Sequence, residues 1–287
     1  MKKYKICKIL LVILAIFLCV AFYELLGICV AYKKQPEVSN TTKKETKNGS
    51  WNECSENTER AVIIEKNPEA LLQRVRLIKN AKKEIILSTF AFQSDESGKL
   101  ILGALHDAAD RGVHIRLLVD GMESWIDMEG NPYFYGLSSH ENVEIKLYNK
   151  ANPLKPWKIM GRMHDKYLIA DGKRYILGGR NTYNYFLGDF PGHKNYDRDV
   201  LVVCDEPEKE NSVNQLLEYF ETIWEQEDSG YFHDNKKLAN RKSVKNAVLE
   251  LQNGYQKYFE ENKERICDTD YTDETFETEK IALVSNP

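Results

Sequence analysis

An almost uninterrupted apolar run lies near the N-terminus of the chain. Residues 9–32 read ILLVILAIFLCVAFYELLGICVAY and contain one charged residue, Glu24. At about 1.5 Å per residue, a helix of this length reaches across a hydrocarbon core of about 30 Å. The apolar core of a signal peptide is shorter and ends in a small-residue cleavage site, which we do not find here. The pattern predicts an uncleaved transmembrane anchor within residues 1–32.

Lysines flank the apolar run on both sides. They are Lys2, Lys3, Lys5 and Lys8 before the run, and Lys33 and Lys34 after it. Positive residues tend to stay on the cytoplasmic side of a membrane. The larger N-terminal cluster therefore predicts a single-pass membrane protein whose folded region lies on the extracytoplasmic side.

Beyond the anchor, strand-like apolar runs alternate with helix-like apolar stripes. Strand, helix and strand follow one another over residues 83–121, an order that predicts a parallel βαβ unit. The close connection at Gly172 and Lys173 predicts a hairpin, so the sheet should be mixed. We therefore expect an α/β fold over residues 60–229. The predicted strands lie within residues 60–68, 83–92, 114–121, 142–149, 164–171, 174–179 and 199–205. The predicted helices are residues 68–82, a helix that follows a turn within residues 95–113, and residues 212–226.

Three flanking segments have a different character. Residues 33–59 are polar and predict a tether. Residues 230–279 are charged and helix-prone, which predicts a connector or a solvated helix. Residues 280–287, KIALVSNP, resemble the first strand-like run, AVIIEKNP, and would be the first strand of a missing second repeat.

Composition adds limits on function. The chain has 287 residues, of which 42% are hydrophobic and 29% are charged, and its formal net charge is −4. This balance is typical of globular protein and gives no global sign of a chain that coats nucleic acid. Cys54 and Cys267 flank the folded region and would be able to form a disulfide in an oxidising compartment. The cysteine spacing does not suggest zinc.

The stretch MHDKYLIADGKRYILGGRN carries the candidate chemistry. Alternate side chains of a strand share a face, so His164 and Lys166 should project together. A neutral imidazole is a nucleophile or proton carrier near pH 7, and a nearby ammonium favours attack on an anionic centre such as a phosphodiester. Asp171 would hold turn amides or orient the site. Gly178 and Gly179 would let backbone approach a ligand, and Asn181 would offer an amide donor to a phosphate oxygen.

This string resembles the signature of the phospholipase D superfamily. Its defining positions are His164, Lys166, Asp171, Gly178, Gly179 and Asn181. Residues 111–121, RGVHIRLLVDG, also resemble the segment that precedes the signature in cardiolipin synthase-like members. The resemblance runs from about residue 60 to residue 226. It implies an α/β/α sandwich with a mixed sheet and no metal or other cofactor.

The resemblance also implies roles for individual residues. His164 would attack phosphorus and form a phosphohistidine, while Lys166 and Asn181 would hold the nonbridging oxygens. A later acidic residue would orient the other ring nitrogen of His164. Asp199 lies where that residue is expected, and Asp197 is the second choice.

The chain contains one copy of a motif that the family uses twice. Since the second histidine protonates the leaving group, the resemblance implies a homodimer or a complementary second half. The expected partners are a phospholipid substrate and the membrane. Nucleic acid is not an expected partner, because the sequence gives no sign of a broad basic surface. Two alternatives stay open: an endonuclease of the same superfamily, and an incomplete half that only binds anionic headgroups.

Overall fold

The structure is a computed structural model of the whole chain. It describes residues 2–33, 40, 43–44, 59–207, 211–233, 237–279 and 281–284. Cys54 and most of the tether lie outside the described residues, so the disulfide and the tether stay predictions. Cys267 is described and exposed.

A mixed sheet of nine strands forms the centre of the described chain, and its strand order is β8-β4-β3-β2-β5-β6-β7-β1-β9. Strand β2 pairs in parallel with β3, and β3 pairs in parallel with β4, as the βαβ pattern predicts. The remaining neighbours are antiparallel, including the β5–β6 hairpin. The strands are β1 Glu59–Ile64, β2 Glu84–Thr89, β3 His114–Asp120, β4 Val143–Tyr148, β5 Tyr167–Ala170, β6 Arg174–Gly178, β7 Asp199–Val203, β8 Ser229–Tyr231 and β9 Phe276–Thr278.

Helices cover both faces of the sheet, which gives the predicted α/β/α sandwich. Alternate side chains of each strand enter different cores, so that Leu117 packs on one face of β3 and Leu118 on the other. The helices are α1 Lys2–Lys33, α2 Asn67–Asn80, α3 Glu96–Asp110, α4 Gly121–Asp127, α5 Pro132–Ser138, α6 Ser212–Trp224, α7 Lys242–Glu261 and α8 Lys263–Cys267. The larger core lies under α2, α3, α5, α7 and α8, and the smaller core lies under α6.

The segment predicted as a charged connector belongs to the folded domain. Within residues 230–279, α7 buries one apolar stripe in the larger core. The stripe consists of Val244, Ala247, Leu251, Tyr255 and Phe259. Strand β9 then adds an edge strand beside β1. The sequence predicted a connector or a solvated helix here. The charged residues of α7 do lie on its solvent face, but the opposite face is buried, as in an amphipathic helix that packs on a core.

Residues 281–284, at the start of the predicted repeat strand, belong to no strand of this sheet. Ile281 and Leu283 pack against the smaller core, and the Leu283 amide donates to Gln215 Oε1 at 2.9 Å. The tail therefore lies beside α6.

At the other end of the chain, α1 is the one helix among the described residues that is long and apolar enough to cross a membrane.

Candidate active site

The residues of the signature other than Asp171 lie at one edge of the sheet. The C-terminal ends of β2, β3 and β6 lie at this edge together with the N-terminal ends of β5 and β7, because the register pairs Ser88 with Tyr167 and Gly178 with Asp199. His164 and Lys166 precede β5 at this edge. The predicted strand over residues 164–171 is therefore too long at its start by three residues.

Asp120 positions the segment that carries His164. It ends β3 and is almost completely buried, and its carboxylate accepts the Met163 amide at 3.1 Å and Arg162 Nε at 2.9 Å. Asp120 Oδ1 also accepts the amides of Met122 and Glu123 at the start of α4. The residues immediately before His164 are therefore held by the Asp120 side chain and not by β-sheet pairing.

The imidazole of His164 is exposed and lies against Phe90. The two ring centroids are 4.7 Å apart in an edge-to-face arrangement. Partial burial lowers the pKa of His164 below its ordinary value, and the positive charge of Lys166 lowers it further. The neutral imidazole is thereby favoured near pH 7, which is the form a nucleophile requires.

Lys166 provides a cation that no carboxylate neutralises directly. Its side chain is buried, and its ammonium donates to the His164 carbonyl oxygen at 2.5 Å and lies 5.4 Å from the centroid of the Phe90 ring. Burial lowers the pKa of Lys166, while the charges of Asp165 and Asp197 partly oppose that effect. Among the described residues no ion pair to Lys166 forms, so its charge faces whatever enters the site.

Asp199 lies across Gly178 from Lys166. Gly178 pairs with Asp199 on one side, and its amide donates to the Lys166 carbonyl oxygen at 3.1 Å on the other. A Cβ at position 178 would lie 2.1 Å from Asp199 Oδ1. The glycine therefore makes room for a carboxylate, whereas the sequence predicted room for a ligand.

Two arginines hold the other oxygen of Asp199. Asp199 Oδ2 lies 2.9 Å from Arg74 Nη1 and 3.2 Å from Arg180 Nη1, and all three side chains are buried. The Oδ1 atom is buried and has no hydrogen-bond partner among the described residues, so Asp199 does not contact His164 here. A donor that reached Asp199 Oδ1 would stabilise the protein, since a buried oxygen without a hydrogen bond lowers the free energy of unfolding.

The neighbouring carboxylate follows the same arrangement. A Cβ at position 179 would lie 2.0 Å from Asp197 Oδ2, so Gly179 accommodates Asp197. Asp197 is more exposed than Asp199, and its Oδ1 accepts the Arg198 amide at 2.7 Å.

Asn181 presents its amide donor at the same edge. Its Oδ1 accepts the Ala91 amide at 3.2 Å, which fixes the side-chain orientation just beyond β2. The Nδ2 group makes no hydrogen bond within the described chain. The predicted role of Nδ2 as a donor to a phosphate oxygen stays a prediction.

A cavity of about 270 Å³ opens beside His164 and Lys166. Its wall combines polar groups of the signature with apolar groups of α6 and of the tail. The lining residues are His164, Asp165, Lys166, Tyr167, Leu177, Gly178, Leu216, Tyr219, Leu283 and Val284. One side of the cavity thus suits an anion, and the other suits an apolar chain.

Comparison with known proteins identifies this arrangement. Residues 74–224 match a protein-family model described as "Cardiolipin synthase, PLD-like domain". The chain belongs to this phospholipase D-like family. Membership supports phosphodiester chemistry in general, and it agrees with the family resemblance of the signature.

Individual relatives of this phospholipase D-like chain are longer. A Helicobacter pylori J99 protein named as uncharacterized is 30% identical over 212 residues, which cover 69% of this chain and 39% of that protein. Cardiolipin synthase C of Escherichia coli K12 is 29% identical over 171 residues, which cover 55% of this chain and 34% of the synthase. The chain thus matches well under half the length of these relatives.

A solved structure shares the fold. The crystal structure of phosphatidylserine synthase from Haemophilus influenzae Rd KW20 aligns with a TM-score of 0.51 at 18% identity. The alignment covers 77% of this chain and 48% of that chain. At this identity the likeness concerns the phospholipase D-like fold.

The aspartate of the signature does not reach the site. Asp171 lies at the opposite end of β5, with a positive φ of 55° in the hairpin turn. Its carboxylate accepts the backbone amides of Lys82, Lys83 and Glu84 at 2.7–3.1 Å. Of the two roles expected for Asp171, holding backbone amides agrees with this placement, and direct participation at the site does not.

Several basic residues near the signature form ion pairs. Lys158 binds Asp228, Arg162 binds Asp120 and Glu123, and Arg174 binds Asp205. Within the described residues no cluster of three or more His, Cys, Asp or Glu side chains is arranged to hold a metal ion.

Sequence reasoning missed three residues at this site. Asp120 ends β3 and Phe90 directly follows β2, and both lie within predicted strands, but the many residues between them and the His164 segment hid these contacts. Arg74 lies in α2 and was assigned to its helical pattern only. The sequence offered one signal for this site. Asp120 is an acidic residue at the C-terminal end of a predicted parallel strand, and the C-terminal ends of such strands meet at one edge of the sheet.

Proposed function

We propose that the chain is a membrane-anchored phospholipase D-type phosphodiesterase or transphosphatidylase that acts on phospholipids through a phosphohistidine. One observation carries this proposal. The exposed imidazole of His164 has a lowered pKa and lines a cavity together with Lys166, whose ammonium has no ion-pair partner among the described residues. A neutral nucleophile next to a fixed cation suits attack on a phosphodiester.

The proposed reaction has two displacements. A ring nitrogen of His164 attacks phosphorus, a P–N bond forms, and the P–O bond to the departing headgroup alcohol breaks. Water or a second alcohol then attacks phosphorus, a new P–O bond forms, and His164 leaves. Lys166 Nζ and Asn181 Nδ2 would bind the nonbridging oxygens through both steps. Loss of one such donor typically costs about 3–4 kcal/mol of transition-state stabilisation.

Asp199 is proposed to support the nucleophile. Its Oδ1 has no hydrogen-bond partner among the described residues and lies where a Cβ of Gly178 would be, beside the residue whose amide binds the Lys166 carbonyl oxygen. If the exposed imidazole moved to donate its other ring nitrogen to this oxygen, the hydrogen bond would fix the tautomer and stabilise the imidazolium. Asp197 remains the second candidate, because its carboxylate lies over the adjacent Gly179.

The departing alkoxide requires a proton from a second acid. None of the other histidines stands in a second copy of the signature. We propose that a second motif, from another copy of this chain or from a complementary half, supplies that proton across the same sheet edge and takes a proton back from the attacking water or alcohol in the second displacement.

Two features favour phospholipid as the substrate. The candidate transmembrane helix would place the site beside a bilayer, and the cavity has an apolar wall formed partly by Leu216 and Leu283. The name cardiolipin synthase, carried by a relative of greater length, is consistent with this choice.

The proposal is tested with the full chain in phospholipid vesicles. Headgroup release, and headgroup exchange with an added alcohol, should require His164: they should vanish in His164→Ala and persist in His233→Ala. His233 is a matched control because it pairs with Glu129 and lies outside the cavity lining. Cleavage of DNA with His164-dependence and no lipid turnover would favour the endonuclease. Headgroup binding without turnover of lipid or DNA, even in oligomers, would favour the incomplete half.

A further inference from the structure

The apolar N-terminal helix makes a specific contact with the catalytic domain. Tyr23 Oη donates to the carbonyl oxygen of Leu154 at 2.8 Å. One turn further along α1, Gly27 is buried against Pro156, where a Cβ on residue 27 would lie 2.3 Å from Pro156 Cγ. The missing side chain of Gly27 therefore permits the close approach of the two segments.

The same contact provides a polar neighbourhood for Glu24, the one acid within the apolar run. Glu24 lines a cavity of about 160 Å³ between α1 and the domain. The lining also contains the cationic residues Lys150, Lys155, Lys158 and Arg162. A carboxylate facing lipid is costly, whereas one facing a cation-lined cavity is much less so. The position of Glu24 thus matches the helix face that meets the domain.

The depth of this contact follows from the helix rise. Gly27 lies five residues before Tyr32, which ends the apolar run, and Tyr23 lies nine residues before it. At about 1.5 Å per residue these positions are roughly 7 Å and 13 Å inside the end of the apolar run. If residues 9–32 span the bilayer, Leu154 and Pro156 must lie at the level of the headgroups or below.

The segment that reaches this depth has the side chains of a membrane interface. Leu154, Trp157 and Met160 are 77%, 46% and 55% exposed. Lys155 is exposed and has no carboxylate partner within the described chain. Exposed apolar groups, an aromatic ring and a long cationic side chain are the combination that binds the headgroup region of a bilayer.

We propose that residues 150–161 form a membrane-docking loop that inserts into an anionic phospholipid surface while it packs on α1. The loop ends directly before Arg162, which Asp120 holds together with the segment leading to His164. Insertion would therefore fix the His164 cavity next to the headgroups. The inference rests on the proposed membrane span of α1, and it adds a second contact between the domain and the bilayer.

Site-specific photocrosslinking tests this loop in the full chain. Benzoylphenylalanine replaces one residue at a time, Phe17, Trp157 or Phe276, in protein reconstituted into vesicles of phosphatidylcholine and phosphatidylglycerol. Phe276 is a matched aromatic control, since it is 74% exposed on β9, at the opposite end of the strand order from β4. After irradiation, mass spectrometry should find phospholipid adducts at positions 17 and 157 and background only at position 276.

A second pair of variants tests the contact with α1. Gly27→Leu should block the approach of Pro156 and lower the adduct yield at position 157, whereas Ala15→Leu, on an exposed part of the helix, should leave it unchanged. An unchanged yield in Gly27→Leu contradicts the packing role of Gly27. Adducts at position 17 with background at position 157 overturn the loop proposal and leave the span intact. Background at both positions removes the span and the loop together, whatever the outcome of the lipid-turnover assay.

Discussion

The carboxylate of Asp199 occupies the space that a side chain on Gly178 would fill, since a Cβ there would lie 2.1 Å from Asp199 Oδ1. This relationship gives the first glycine of the signature a steric function. We expect Gly178→Ala to displace Asp199, to destabilise the domain by about 1–3 kcal/mol, as overpacking usually does, and to abolish turnover. Thermal unfolding and lipid turnover measure the two effects.

Gly254→Ala is the matched control for this substitution. Gly254 lies in α7, and a Cβ there would meet nothing within 4 Å. Alanine is favoured over glycine within a helix by about 0.5–1 kcal/mol, so this variant should unfold at an equal or higher temperature with unchanged turnover. A Gly178→Ala protein that behaves like Gly254→Ala would contradict the steric function.

Asp199→Asn should affect both stability and chemistry. The substitution keeps the size of the side chain but leaves the buried cations of Arg74 and Arg180 without their carboxylate, which typically costs about 3–5 kcal/mol. In the folded fraction, kcat should fall while KM changes little, because the nucleophile loses the negative charge that would stabilise its imidazolium, whereas the phosphate keeps its donors. Asp197→Asn should preserve both the unfolding temperature and kcat. If kcat instead fell in Asp197→Asn and stayed unchanged in the folded fraction of Asp199→Asn, Asp197 would be the residue that orients His164.

The pH dependence follows from the direction of the His164 pKa. Burial and Lys166 lower this pKa, so the imidazole stays neutral to a pH below the ordinary histidine value of about 6.5. Activity should therefore decline only as the pH falls through that lowered pKa. Lys166→Met removes the neighbouring charge and should raise the pKa. The rate of His164 modification by diethyl pyrocarbonate, followed by mass spectrometry, reports this change without requiring activity, and a curve that does not move upward in Lys166→Met would contradict the electrostatic coupling.

The strand-like apolar runs and the signature predicted most of this fold, because both are patterns of residues that are close together in sequence. A mostly apolar stretch such as HIRLLVD, residues 114–120, predicts a largely buried strand, and the βαβ order then predicts its neighbours. The α7 stripe escaped notice because its apolar residues stand four positions apart among many charges. The contact between Asp120 and Met163 joins residues 43 positions apart, and no sequence period reports such a distance.

The signature itself was only partly interpretable from its spacing. His164 and Lys166 line one cavity, and the Nδ2 group of Asn181 makes no hydrogen bond to the described residues. Asp171, however, lies at the far end of a four-residue strand, and only the register of β5 places it there. Gly178 makes room for Asp199 and not for a ligand. The sequence could not predict this, because Asp199 belongs to β7, which follows Gly178 by about twenty residues.

Oligomeric state should control activity. One imidazole attacks phosphorus, but the leaving alkoxide needs a proton that the proposed second motif provides. Fractions separated by size in detergent should turn over a phospholipid only as a dimer or after addition of a complementary half. Turnover by a strictly monomeric fraction, with dependence on His164, would mean that another residue of the chain supplies the proton.

The central claim is that His164 becomes covalently bound to phosphorus. Full-length protein in phospholipid vesicles should be quenched during turnover and digested at a pH that preserves phosphoramidate bonds, and the peptide that contains His164 should be analysed by mass spectrometry. We expect a phosphatidyl adduct on His164 that disappears on acid treatment, that is absent from His164→Ala, and that persists in His233→Ala. An adduct on another residue, or full turnover by His164→Ala at an unchanged protein level, would contradict the mechanism.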